Sequence, residues 1–395
     1  MPDASRIVTC LIAAGAFALG MASYVTAGLI PLIEKDLDVT TALAAQLVTA
    51  FTLAYAIGSP ITVAMMPAHR QRAGLLGMLA LFVAANALSA VAPDMATLMG
   101  LRAAAGLAAG TYLALGIAAA SRLSPDHQRG RTIAIIMGGM ASGTVLGVPA
   151  GLWLATHLGW QAALWLISLI GAVALVGLMR WLPALSPVTQ SSLQQKLGIL
   201  KDGLVIRLLG ISLLAAVASL GLYTFMAPLV RAYTEHSITP FLWVWGVGGV
   251  LGSFLIGSLV DRFSNLRITA GIMTLLGVSL IALPLALSLN PWAGLLPILL
   301  WGAVGWALQV PQNNALMKAR EASGDGHLAV ALNESALYLG SALAAGAGGV
   351  WLLLGWPVWG LAVAAGAIGL MGLGICLPTS RGRDRVSHPV RRGDV

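Results

Sequence analysis

Charge is what this sequence has least of. Only 9% of its 395 residues are Asp, Glu, Lys or Arg, and acids are the scarcer sign, 14 against 22 bases. A soluble protein carries roughly 25% charged residues. A chain this poor in charge cannot cover its surface in water, which excludes soluble enzymes, nucleic-acid-binding domains and disordered chains. Cysteine is scarce as well. Cys10 and Cys376 lie inside apolar runs near the two ends, match no metal-ligand or redox spacing, and read as packing residues rather than a disulfide. There is no HExxH, Walker loop or nucleophile elbow, and Gly246, Gly248, Gly249 and Gly252 lie in an apolar run with no strand before them. Hence no catalytic residue, metal site or cofactor is expected.

What the sequence has in abundance is long apolar runs: 58% of residues are hydrophobic and the mean hydropathy is +0.88. The runs extend over 7–31, 44–66, 74–92, 97–120, 132–155 and 161–182, then 208–230, 241–260, 267–289, 293–316, 328–353 and 357–377. A spanning helix needs about 20 apolar residues, so twelve use about 240 positions and leave only short connections. Strands of a membrane β-barrel need about ten alternating residues, so these runs are too long for them. The first run is too long for a cleaved signal peptide. The expected fold is an all-α integral membrane protein with twelve transmembrane helices.

Basic residues orient it. Of the 22 lysines and arginines, all but Lys35, Arg102 and Arg231 fall before the first run, after the last, or in or at the edges of the even-to-odd connections. Cations resist translocation, so both termini are assigned to the cytoplasm of a multi-pass inner-membrane protein. The net charge of +8 is thus a topology signal and not a nucleic-acid footprint. The polar stretch 183–207 reads as a cytoplasmic linker between six-helix bundles at 1–182 and 208–377, with a basic cytoplasmic tail at 378–395. The halves echo each other. Gly151-Leu152-Trp153 followed by Gly159-Trp160 matches Gly349-Val350-Trp351 followed by Gly355-Trp356, and Gly58-Ser59 matches Gly252-Ser253. Internal repeats are typical of secondary transporters.

Three motifs resemble those of the major facilitator superfamily, closest to its twelve-helix, proton-coupled drug and sugar efflux branch. They are Leu101-Arg102-Ala103-Ala104-Ala105-Gly106 with Gly110; Gly143-Thr144-Val145-Leu146-Gly147-Val148-Pro149-Ala150-Gly151; and Gly257-Ser258-Leu259-Val260-Asp261-Arg262. The resemblance implies two pseudo-symmetric bundles. It makes Arg102 a proton-coupling residue that stabilises a nearby carboxylate, and makes Gly143, Gly147, Pro149 and Gly151 an antiporter motif in bendable contact with the other half. Gly257, Asp261 and Arg262 become a cytoplasmic gate. The first-half copy of that gate, Met66 to Arg72, lacks its acid, so topogenic arginines are an equal reading there.

A buried arginine costs about 2.5–3.5 kcal/mol on insertion scales and seeks a polar interior, although Arg102 is also shallow enough to snorkel. Glu34, Asp36 and Asp94 are candidates to pair with it. The glycines repeat every fourth residue and equally suit ordinary close packing. The efflux branch often carries a carboxylate in helix one, whereas this chain has Met21-Ala22-Ser23-Tyr24 there. Glu334 is the remaining coupling candidate, with a wet first-turn position in helix eleven as its rival. By resemblance helices one, four, seven and ten line the centre, where Tyr24, Tyr112, Tyr223, Phe225, Trp306, Gln309 and Asn313 offer aromatic faces and hydrogen-bonding groups. Such a mixture suits a neutral or amphiphilic molecule and, without an acid in helix one, should trap strong cations poorly.

The sequence therefore reads as a secondary transporter, working as a monomer, that exports a small organic molecule such as a drug, sugar or nucleoside in exchange for protons. An importer or facilitator is the alternative. A membrane sensor or intramembrane enzyme is the rival class, opposed by the lack of a signalling domain or clustered catalytic set.

Overall fold

The computed structural model describes residues 2–125, 128–185, 198–260, 262–320, 323 and 326–376. Twelve helices in it are long and apolar enough to cross a membrane, which we number α1–α12: Ser5–Leu37, Thr41–Val63, Gln71–Ser89, Met95–Leu123, Arg131–Leu158, Trp160–Trp181, Gly203–Thr224, Thr239–Ile256, Asn265–Leu289, Pro291–Ala319, Leu328–Leu353 and Val358–Cys376. No strand occurs among the described residues. The tail beyond Cys376 and the linker centre, 186–197, lie outside them.

Local chemistry sets the helix ends. Thr40, Asp94, Asp202 and Asn290 stand just before helices and accept backbone N–H groups of the following turn, filling donors that a helix start leaves free. Gly159 and Gly355 end α5 and α11 with φ of 88° and 73°, a conformation that strains any residue with a Cβ. The Gly-Trp echo between the halves thus marks a glycine of positive φ after each of these helices. α1 continues through Pro31 to Leu37, past the expected end of the first run. α7 breaks at Phe225 and resumes as a short helix, Met226–Arg231.

Two spans contain wide π turns, Ala54–Gly58 in α2 and Gly143–Gly147 in α5, each followed by a proline, Pro60 and Pro149. Proline lacks an N–H and its ring crowds the carbonyl four residues back, so a wider turn relieves the clash. The bend expected at Pro149 takes this form.

α1–α6 pack together and α7–α12 pack together. The halves meet through α2 against α11, the π turn and later part of α5 against α8, and residues 226–231 against α1. These meeting segments lie toward the face away from the termini. Segments 59–65 and 129–142, which reach toward the termini, make no comparable contact with the other half among the described residues. The molecule is closed on one face and diverges toward the other. Leu169, Val173, Val176, Phe254, Leu285 and Leu296 are exposed on its perimeter, where apolar surface faces lipid.

Candidate functional site

A cleft lies where the halves meet, between Ser23, Tyr24 and Ala27 of α1, Val48 and Thr52 of α2, Leu220, Tyr223 and Thr224 of α7, and Tyr338 and Ser341 of α11. Only about 10 Å³ is open to the centre of a water-sized sphere, room for roughly one water. A larger ligand therefore requires the halves to separate. Tyr338 bridges them: its hydroxyl is 3.2 Å from Ser23 Oγ, and its ring stacks on Tyr55 with centroids 3.6 Å apart. Aromatic rings continue from there. Tyr24 meets Tyr223 edge-on at 5.5 Å and Trp306 at 6.2 Å, while Tyr223 lies 4.5 Å from Trp245.

Glu334 lies on α11 one turn before Tyr338, half-buried. The helix that carries it begins at Gly326, so Glu334 is past the first turn and the wet-terminus reading does not hold. Among the described residues no lysine, arginine or histidine forms an ion pair with it.

Arg102 is 1% exposed, which rules out snorkelling. It donates to the Ala22 carbonyl at 2.8 Å and to Asn86 Oδ1 at 3.3 Å, and its guanidinium lies 4.5 Å from the Phe51 ring centre. The expected carboxylate partner is absent among the described residues, because the three candidates are held elsewhere. Glu34 accepts the Thr41 hydroxyl, Asp36 accepts Trp160 Nε1 and Gln161 Nε2, and Asp94 caps α4. Arg102 instead joins α1, α3 and α4 beside the cleft residues Ser23 and Tyr24.

Gly143, Gly147 and Gly151 face α1 of their own half, not the other half. A Cβ at Gly143 would overlap the Phe17 carbonyl oxygen, one at Gly147 would meet Met21 at 3.0 Å, and one at Gly151 would overlap the Met21 methyl. The contact across the halves falls to the neighbouring Val145, which packs on Gly246 of α8. A stripe of glycines can meet only one partner, and here α1 takes it.

The remaining candidates divide. Tyr24, Tyr223 and Trp306 belong to the central aromatic group. Tyr112 does not line the cleft: it is fully buried and donates to the Ile12 carbonyl at 3.2 Å, packed on Gly15. Phe225 is also absent from the lining and fills the space beside Gly348, Ile30 and Ala44. Gln309 is half-buried on α10, and Asn313 accepts Asn333 Nδ2 at 3.0 Å. Asp261 lies outside the described residues; Gly257 is helical and Arg262 exposed. In the first-half copy, Arg72 donates to the Leu182 and Met179 carbonyls and Gln71 accepts from Arg122. These bonds stay within that half.

Sequence reasoning missed Tyr55, Trp245 and Tyr338 because it drew the centre from four helices and left out α2, α8 and α11; Ser23, on α1, was passed over for its neighbour Tyr24. One signal was available: Tyr338 follows Glu334 by four residues and so shares its helix face.

The "Major Facilitator Superfamily" model matches residues 12–326. The chain is 31% identical over 366 residues to the inner membrane transport protein YdhP of Escherichia coli K12, covering 90% of this chain and 93% of that protein. It is 30% identical to a chloramphenicol resistance protein of Streptomyces lividans, over 75% and 77% of the two chains. It is 22% identical to the putative transporter AraJ of Escherichia coli K12, over 87% of each. With twelve spans, paired bundles and a match across most of its length, this multi-pass membrane protein belongs to the major facilitator superfamily of transporters.

Proposed function

We propose that the chain is a secondary active exporter that exchanges a small organic molecule for protons, with both termini in the cytoplasm of the inner membrane. Its two halves rock about the central cleft and expose it to one face at a time. The observation that carries this reading is the packing between the halves. It is concentrated on the face away from the termini and includes the Tyr338–Ser23 and Tyr338–Tyr55 contacts beside the cleft. Contacts of this kind can break as a unit while each bundle stays intact. On this assignment the cleft is shut to the outside, and the diverging face is the cytoplasmic one.

Glu334 is the proton carrier in this scheme, since a carboxylate in a spanning helix is costly unless it serves transport or is paired. Arg102 holds α1 in register with the cleft. Similarity to a chloramphenicol resistance protein favours export over import. Purified chain in liposomes tests the exchange. Flux of a substrate, found by an efflux screen in overproducing cells, should rise with an imposed pH gradient and fall with an uncoupler. Flux indifferent to both would reject proton coupling and leave a facilitator.

A further inference from the structure

Two lipid-facing stripes end in arginine at the same corner of the molecule. On α6 the exposed positions Leu169, Val173 and Val176 lead to Arg180. On α3 Arg70 stands in the short turn before the exposed positions Ala73, Gly77 and Leu81. Steps of three and four residues keep each series on one helix face. The two helices are joined where they reach the face that carries the termini: Arg72 donates to the Leu182 and Met179 carbonyls at 2.9 and 3.2 Å. Arg70 lies two residues before one partner in these bonds and Arg180 one residue after the other, so both are held at this corner. The Arg180 guanidinium is 5.2 Å from the ring centre of Trp181, which is itself exposed.

Nothing acidic answers these charges. No Asp or Glu occurs between Asp38 and Asp94 or between Asp126 and Asp202, and neither Arg70 nor Arg180 forms an ion pair among the described residues. Topology accounts for arginines on this face, but not for two of them on the lipid side of adjoining helices beside a tryptophan. Deeper in the membrane α3 presents only the small residues Ala73 and Gly77, and a Cβ at Gly77 would have nothing within 4 Å. A shallow recess is thus left beside Val173 and Val176 of α6. Cations and an indole at headgroup level, above a recess with apolar walls, match a molecule with an anionic head and an acyl chain.

We propose that the α3–α6 corner seats an anionic phospholipid, with Arg70 and Arg180 on its phosphate, Trp181 at the headgroup boundary and an acyl chain along Ala73 and Gly77. Arg72 serves this seat by fixing the end of α6 against α3. The site is outside the central cleft and independent of what the chain transports.

The test is native mass spectrometry of the purified full-length chain in detergent, titrated with phosphatidylglycerol or with phosphatidylcholine of the same acyl chains, with melting temperature read on the same samples. The wild type should retain phosphatidylglycerol in preference. Arg70→Gln and Arg180→Gln should each weaken that retention about fivefold, and the double variant more. Arg267→Gln, which removes an exposed arginine at the start of α9, should bind as the wild type does. Equal retention of the two lipids by the wild type, or undiminished phosphatidylglycerol binding in a folded double variant, would overturn the proposal. So would a loss as large in Arg267→Gln, which would reduce the effect to overall charge. Displacement of the lipid by excess glycerol 3-phosphate would show a site for the free phosphate and overturn the lipid assignment.

Discussion

The Tyr338 hydroxyl of α11 lies 3.2 Å from Ser23 Oγ of α1, joining the two halves at the edge of the cleft. Tyr338→Phe keeps the ring on Tyr55 and removes this bond. A hydrogen bond of this kind is worth about 1 kcal/mol, so the closed arrangement should lose roughly fivefold in relative population. The measurement is the thiol-labelling rate of a cysteine at Ala27, in a background where Cys10 and Cys376 are replaced by serine. Unchanged labelling would show that the hydroxyl does not hold the halves together.

Arg102 ties Ala22 to Asn86 from a site that is 1% exposed. Arg102→Ala leaves Asn86 Oδ1 without its donor and opens a hollow beside Phe51, at a cost of about 2–4 kcal/mol. Arg102→Lys keeps the charge but loses the planar fork that serves both acceptors. Both variants should insert, melt lower and lose gradient-driven flux. A wild-type melting temperature in Arg102→Ala would contradict the clamp.

Close approach of α5 to α1 depends on Gly143, whose added Cβ would overlap the Phe17 carbonyl oxygen. Gly143→Ala should destabilise by about 1–3 kcal/mol, since backbone cannot yield as a side-chain tip can. Gly138, on the same helix, has nothing within 4 Å of such a Cβ. Gly138→Ala should therefore be neutral or stabilising by up to about 1 kcal/mol. The pair is compared by thermal melting in one detergent.

Outside the spans, Arg320 donates to Asp202 Oδ2 at 3.1 Å, and Leu204 and Val205 N–H groups donate to the same carboxylate. Chiefly through the Arg320 bond, the Asp202 carboxyl is held below its ordinary range. A carboxyl depressed in the folded state contributes stability above its unfolded value and loses it as pH falls through the folded one. The melting-temperature advantage of wild type over Asp202→Asn should therefore be full near about pH 7 and shrink toward about pH 3. An advantage that grows with acid would contradict the pair.

Much of the architecture was legible in the residues. Apolar length sets the count of spans, because a backbone in lipid must satisfy its own hydrogen bonds within helices. The repeated Gly159-Trp160 and Gly355-Trp356 were legible as an echo between the halves, and the structure adds that both glycines take a positive φ after α5 and α11. Glu334 stood out as an acid within an apolar run, and Tyr24 and Tyr223 as aromatics on helices expected at the centre.

Partnership is what the tertiary structure alone decided. Periodicity reports which residues share a face of one helix, and says nothing of which helix that face meets. So the glycines of α5 turned out to lie on α1, Tyr112 to bond the Ile12 carbonyl, and Arg102 to hold neutral acceptors in place of a carboxylate. Likewise, no spacing along the chain joins Ser23 to Tyr338, more than three hundred residues apart. That contact exists because the packing of α2 against α11 brings two bundles together at one level of the membrane, a fact of three-dimensional packing that no local pattern encodes.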